Sequence, residues 1–549
     1  MNITSQLREH AKQKPQQRAV VFPKKQFFRS GYDYQSLSYG ELEKRANKYA
    51  SALNKLGLKK GTKTLLFVKP SLEFAVLAVA LFRAGAVPVL IDPAMGKANL
   101  FNAVKLVQPR ALIAVPKVFL AKLIYPDAFK SIEIELCTNS LPWLGVSGIS
   151  SLNQIGDDGE FPIANCGEDD LAAIAFTSGG TGIPKGVEYN HSIFLNQVEI
   201  IREIFKLSAA DIDMPGFPLF LLFSIAIGMT GVIPDMDPTK PAQADPSKLV
   251  KNILDQKVTF ANGSPAIWER VADYCLEKGI TLDTLRNLMM FGAPVAMELH
   301  EKFKVVMPNG STHTPYGATE SLPVADTAGS YLLSNFRDVI GQGTCLGQSV
   351  RGVEVKIIQI SDEPIGDIED AIFLDRYQVG EIIVSGPIVT PQYHNMPDKT
   401  AEAKIYDKAG KLWHRMGDVG YLDDEDNLWF CGRKIHRVIT DSETLFSVKC
   451  ESIFNQHRDV RRSALIGLGP AGHQEPAIVV ERNDGKDELE PEQKAQFEAE
   501  LLALAKQDPQ TRSIKRIFYS TGFPVDIRHN IKIDRFKLKN EFESKVEKQ

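Results

Sequence analysis

Apolar and polar positions in this chain fall into short blocks that read one element at a time. Leu42, Ala46, Tyr49, Ala50, Leu53 and Leu56 recur at helical spacing. Ser38 and Glu41 ahead of them suit a capping box, and Gly57 behind them suits a stop. An apolar run at 64–68, closed by Pro70, predicts a short buried strand. Ser71 and Glu73 open a helical stretch to Arg83, Gly85 ends it, and 86–91 predicts another strand. Strand–helix–strand order predicts a parallel sheet with helices on its faces. The pattern returns at 111–115 and again just before Gly179.

The character changes after about Gly432. Residues 450–456 read as helix, 463–468 and 477–481 as strands, and 490–506 as a charged amphipathic helix. The expected fold class is therefore α/β, with the tail a small α/β unit of its own. A boundary near His436 divides residues 1–435 from a C-terminal part, 436–549.

Composition narrows the class. At 549 residues the chain is too long for one ordinary domain. A net charge of -4 gives no electrostatic case for nucleic acid. The six cysteines are scattered without a CxxC pair, so they read as free thiols of a reducing, cytoplasmic compartment. The polar N-terminus carries no secretory h-region. One stretch, 217–234 (FPLFLLFSIAIGMTGVIP), approaches a membrane span in length. Its prolines and glycines, and its lack of basic flanks, point instead to a buried helix or the wall of an apolar pocket.

Candidate chemistry concentrates at 176–187, FTSGGTGIPKGV. An apolar strand leads into Thr177, Ser178, Gly179, Gly180, Thr181 and Gly182. Glycines let successive backbone N–H groups face one anion, and hydroxyls add donors. Lys185 adds a compact positive charge for phosphates. The order, lysine before glycine, is not that of a Walker A loop.

This string resembles the core signature of the adenylate-forming superfamily, which includes acyl-CoA synthetases, firefly luciferases and peptide-synthetase adenylation domains. Further segments follow in the same order over nearly the full length. Phe291–Val295 (FGAPV) resembles the adenine-side segment, with Gly292, Ala293 and Pro294. YGATE, residues 316–320, resembles the next motif. The resemblance gives Tyr316 an adenine-stacking role, Thr319 a phosphate contact and Glu320 the Mg²⁺, with Gly317 and Ala318 beside them. Gly380, Glu381, Gly386 and Pro387 match a structural motif. Asp418, in RMGD, takes the ribose-gripping role, and Arg433 lies near the nucleotide. Lys532, in HNIKIDR, stands where the superfamily keeps its C-terminal adenylating lysine. ATP and Mg²⁺ are the implied cofactors. The resemblance also implies a large N-terminal ATP- and acyl-binding region of α/β subdomains with a β-rich part, 1–435, and a small mobile α+β C-terminal domain, 436–549.

The chain departs from the common pattern at informative places. Leu221 replaces a usual histidine after Phe217-Pro-Leu-Phe, and with the apolar run after it implies a wide alkyl pocket. His436 occupies the hinge position, Asp441-Ser442 replaces the glycine pair beside a pantetheine tunnel, and Ile531 replaces the glycine before the lysine. These last changes weaken an ordinary CoA-ligase reading. Segments 307–325, 414–438 and 524–533 resemble one branch, the β-lactone synthetases of bacterial long-chain olefin biosynthesis. That resemblance implies a 2-alkyl-3-hydroxy fatty acid closed to a β-lactone, with ATP going to AMP and pyrophosphate. It also implies a condensing thiolase, a ketone reductase and a β-lactone decarboxylase as partners. A base for the substrate hydroxyl would help, and His191, His313, His436 and His529 are candidates. His313, close to Thr319, is carried with the catalytic set of Lys185, Thr319 and Lys532, and the residues alone do not choose a base. The alternatives are a long-chain acyl-CoA ligase, a fatty-acyl-AMP ligase that loads a carrier protein, and a non-catalytic acyl-nucleotide binder.

Overall fold

The structure, a computed structural model, describes residues 2–25, 31–177, 184–525 and 533–546. Two seven-stranded sheets organise the larger part. The first runs in the order Ser147–Gly148, Ile134–Cys137, Ala111–Ala114, Lys63–Phe67, Val87–Leu90, Leu171–Thr177, Lys185–Asn190. All its pairings are parallel except the last, where Lys185–Asn190 turns back antiparallel on Leu171–Thr177. The second sheet runs Ser311–His313, Asn287–Met290, Phe260–Gly263, Ile212–Pro215, Thr230–Val232, Arg18–Lys25, Tyr32–Ser38.

Strand alternation distributes the core. Leu66, Ile113, Phe260 and Met289 enter one large cluster shared by both sheets. Their chain neighbours Leu65 and Leu112 face a second cluster, and Ala261 and Met290 a third. The shared cluster holds the helices Tyr39–Lys55, Leu72–Arg83, His191–Phe205 and Leu221–Ile227. The larger part is thus layered helices, sheet, helices, sheet, helices. The expected capping box is present: Glu41 N donates to Ser38 Oγ and Ser38 N to the Glu41 carboxylate. Gly57 follows this helix at φ +97.

The apolar run 217–234 is not one helix. It divides into a single turn at Pro218–Phe220, the helix Leu221–Ile227, and the strand Thr230–Val232. Gly228, at φ +92, breaks it. Among the described residues no helix is long and apolar enough to cross a membrane.

A six-stranded antiparallel sheet follows, built on Leu412–Leu422 with Leu428–Arg433 on one side and Gly380–Ser385 on the other. A three-stranded sheet of Tyr316–Ala318, Ser321–Asp326 and Gln348–Ser349 adjoins it in sequence. In the tail, Val460–Leu468, Glu475–Arg482 and Arg516–Ser520 form another sheet. Helices Ser447–Phe454 and Pro491–Gln507 cover one face of that sheet and Arg535–Val546 the other. The first two strands extend the expected ones by a few residues, while the helices are shifted, from 450–456 to Ser447–Phe454 and from 490–506 to Pro491–Gln507.

Candidate active site

Three stretches distant in sequence supply the charged groups. Thr177 and Lys185 are register partners at the open end of the antiparallel pair, so the hairpin holds both ends of the glycine-rich loop together. Ser178, Gly179, Gly180, Thr181 and Gly182 lie outside the described residues, as do Lys532, His529 and Ile531. Glu320 sits in the turn between Tyr316–Ala318 and Ser321–Asp326. Asp418 and Arg433 are register partners on adjacent antiparallel strands. Gly417, at φ +67, bends the strand immediately before Asp418.

These groups form one hydrogen-bonded and electrostatic cluster. Tyr316 Oη donates to Asp418 Oδ2 at 2.6 Å, and Arg433 donates to Asp418 Oδ1 at 2.8 Å. Asp418, before any other group, holds the Arg433 guanidinium above its ordinary range, with Tyr316 and Glu320 adding to it. Burial and the adjacent carboxylate raise the Tyr316 phenol well above its usual value. Tyr393 Oη donates to Glu320 Oε1 at 2.7 Å, and Lys185 Nζ stands 4.9 Å from the centre of the same ring. Burial pulls the Lys185 ammonium below its ordinary range, and Glu320 opposes that pull. Thr390 donates through both N and Oγ1 to the Glu320 carbonyl, and Tyr189 Oη donates to the Thr319 carbonyl.

A buried cation lies beneath. Lys404 donates to the Thr390 carbonyl, and burial pushes its ammonium down to about 7. His414, its register partner, is driven well below its ordinary range by burial and then by Lys404, so it is neutral. Arg415 is committed elsewhere, in a buried ion pair with Glu381 at 2.7 Å. Tyr393, Lys404 and His414 were not legible as site residues. Their only sequence signal was proximity to the Gly386-Pro387 and RMGD segments.

Gly292, Ala293 and Pro294 form a loop beyond the carboxyl end of Asn287–Met290, as expected for a ligand crevice in an α/β sheet. Phe291 packs on Phe220 with ring centres 5.1 Å apart, which joins the adenine-side segment to the apolar run. Near that junction an apolar pocket is lined by Phe74, Pro215, Gly216, Leu221, Ile233 and Met236. Only Leu221 of the helix Leu221–Ile227 lines it, whereas Leu222, Phe223, Ile225, Ala226 and Ile227 pack into the core, so this helix does not wall the wide pocket expected.

The histidines separate. His313 Nδ1 bonds Asp326 Oδ2 at 2.8 Å, and its ring meets Phe205 edge-on. Burial pushes His191 down to about 4 and His436 down to about 3, so both are neutral near pH 7. His436 packs edge-on against Phe536.

Among the described residues no group of His, Cys, Asp or Glu forms a metal cage. Glu320 is a carboxylate beside the hairpin of Thr177 and Lys185, a donor that suits a Mg²⁺ held mainly by phosphate and water oxygens. All six cysteines are free and buried.

Residues 7–394 match the AMP-binding enzyme family, and the chain belongs to that family of adenylate-forming enzymes. Among its relatives is an olefin β-lactone synthetase of Xanthomonas campestris pv. campestris, 41% identical over 98% of this chain and 96% of the relative. A second olefin β-lactone synthetase, from Stenotrophomonas maltophilia, is 39% identical over 98% of this chain and 97% of the relative. ATP-bound MatB from Rhodopseudomonas palustris shares the fold, with a TM-score of 0.76 at 21% identity over 99% of each chain.

Proposed function

We propose that this protein is an ATP-dependent β-lactone synthetase that acts on a 2-alkyl-3-hydroxy fatty acid. The observation that carries the reading is the 41% identity, sustained over 98% of the chain, with an olefin β-lactone synthetase. The site cluster gives the reading its chemistry. The loop from Thr177 through Gly182 and Lys185 binds the phosphates. Gly292–Pro294 and Tyr316 flank the adenine, with Gly317 and Ala318 completing that wall. Asp418 and Arg433 take the ribose side, Thr319 reaches the α-phosphate, and Lys532 completes the adenylating set.

In the first step a carboxylate oxygen attacks the α-phosphorus and pyrophosphate leaves. Negative charge grows on phosphoryl oxygens, where fixed cations and donors act most strongly. Glu320 would hold Mg²⁺, which would supply charge neutralisation there. In the second step the substrate's own 3-hydroxyl oxygen attacks the acyl carbon. It gives up its proton, the four-membered ring closes and AMP leaves. A four-membered ring is strained, so activation must precede closure. The intramolecular attack profits from effective concentration if the acyl chains are held folded. The apolar pocket lined by Phe74, Leu221, Ile233 and Met236 is the seat of one alkyl chain in this reading. His313, paired with Asp326, stays with the candidate bases, and the choice among the histidines is open.

The division at 435/436 makes residues 436–549 a mobile unit that carries Lys532 to the nucleotide. Chemistry of this kind needs a preceding condensation by a thiolase and a ketone reduction. A β-lactone decarboxylase would consume the product, all in the cytoplasm. The test is incubation of the purified protein with ATP, Mg²⁺ and a synthetic 2-alkyl-3-hydroxy acid, without CoA, followed by cool proton NMR and AMP analysis. A β-lactone with AMP supports the reading. AMP formed only with added CoA, together with a thioester, makes the enzyme an acyl-CoA ligase.

A further inference from the structure

Lys185 and Glu320 carry opposite charge and each acts on the other's neighbourhood, yet no ion pair joins them among the described residues. Between them stands Tyr393. Its ring face lies 4.9 Å from Lys185 Nζ, and its hydroxyl donates to Glu320 Oε1 at 2.7 Å. Tyr393 is only 5% exposed. Its backbone is fixed on both sides: Tyr393 N donates to Thr400 Oγ1 at 3.1 Å, and His394 N donates to the Gly186 carbonyl at 2.7 Å. A bridge from Tyr393 to Val187 ties it to the strand that carries Lys185.

We propose that Tyr393 is a positioning residue that holds Lys185 and Glu320 apart, so that the lysine meets the nucleotide phosphates and the glutamate meets the metal with neither already paired. The proposal rests on the ATP site assigned above. Opposite charges in a half-buried setting attract strongly, and a direct pair would occupy both groups before the nucleotide arrives. An aromatic face accepts a cation without neutralising it. A phenol hydroxyl donates to a carboxylate without cancelling its charge. Tyr393 needs no contact with the reacting atoms to do this.

The test is calorimetric binding of a non-hydrolysable ATP analogue to the full chain in a metal chelator, where only the state of Lys185 is read. Tyr393→Leu removes the ring and lets Glu320 capture Lys185, so affinity falls about tenfold, equivalent to about 1.4 kcal/mol. Glu320→Gln in the Tyr393→Leu background removes the capturing acid and restores affinity. A merely structural defect is not repaired that way. Tyr393→Phe keeps the ring and holds metal-free affinity near wild type. Because Glu320 is no longer tethered in this variant, Mn²⁺ binding to the nucleotide complex, read by EPR, weakens several-fold. This arm also decides the matter if Tyr393→Leu does not fold. Unchanged affinity in Tyr393→Leu, a loss that persists in the double variant, or unchanged Mn²⁺ binding in Tyr393→Phe overturns the spacer. Failure of the wild-type protein to bind the analogue refutes the ATP-site assignment itself.

Discussion

Replacing Asp213 by Asn removes a buried acid from beneath the apolar pocket and changes how the local structure responds to pH. Asp213 lies on Ile212–Pro215, next to Pro215 and Gly216 of the pocket wall, and is 2% exposed. Its carboxyl meets Ser224 Oγ on the helix Leu221–Ile227, and Asn262 Nδ2 donates to it at 3.2 Å. The Ser224 hydroxyl has one proton but faces two acceptors, Asp213 and the Phe220 carbonyl at 3.3 Å. A neutral acid resolves that conflict by donating to Ser224. Burial, against the two hydrogen bonds, raises the Asp213 carboxyl from 3.8 to about 7. A folded-state pKa above the unfolded one gives stability that is complete below about pH 4 and is lost as pH rises through about 7. At about 1.4 kcal/mol per unit, the loss between pH 5 and pH 8 is about 3 kcal/mol. Asn keeps the shape and the hydrogen bonds without ionising, so it removes that slope. The assay is native-state hydrogen exchange of peptides covering residues 212–227, corrected for intrinsic rates. Wild-type opening becomes easier by about 3 kcal/mol from pH 5 to pH 8, and Asp213→Asn stays flat. Identical pH profiles, or a variant less protected than wild type at pH 8, would refute the buried-acid argument.

Asp418→Asn presents an amide N–H₂ to either Tyr316 or Arg433 where a carboxylate oxygen accepted, and leaves the guanidinium without its carboxylate. Loss of hydrogen bonds to a charged group, at about 1.5–3 kcal/mol, raises the KM for ATP by at least about tenfold in a pyrophosphate-release assay. Lys404→Met removes a buried ammonium whose folded pKa, about 7, lies below its unfolded value. Wild-type stability therefore falls as pH drops from about 10 toward 7, and Lys404→Met flattens the melting temperature over that window. A Lys404→Met profile that still slopes like wild type would count against burial as the cause.

Local pattern sufficed for much of the fold. The helix Tyr39–Lys55 announces itself through its capping box and apolar stripe, because both depend on residues within a few turns. The same holds for the order of elements in the first sheet. Motif resemblance supplied Lys185, Tyr316, Glu320, Asp418 and Arg433 as a set without saying how they meet.

Only the tertiary structure decided what sequence distance hides. Arg18–Lys25, near the N-terminus, pairs parallel with Thr230–Val232 in the second sheet, a contact no local period reports. The apolar run 217–234 reads as one hydrophobic block, yet Gly228 divides it and its helix is absorbed by the core shared between the sheets. Tyr393 has no charge and no motif letter of its own. Its role follows from a bridge to Val187 that sets its ring against Lys185 and its hydroxyl against Glu320. Lys404 looks like a surface lysine in sequence, and only its placement 3% exposed on a strand edge beneath Glu320 shifts its titration. Residue type and short-range spacing determine which groups are present and which helices and strands form. Burial, register and the distance between charges are properties of the packed chain, and they determine which of those groups act together.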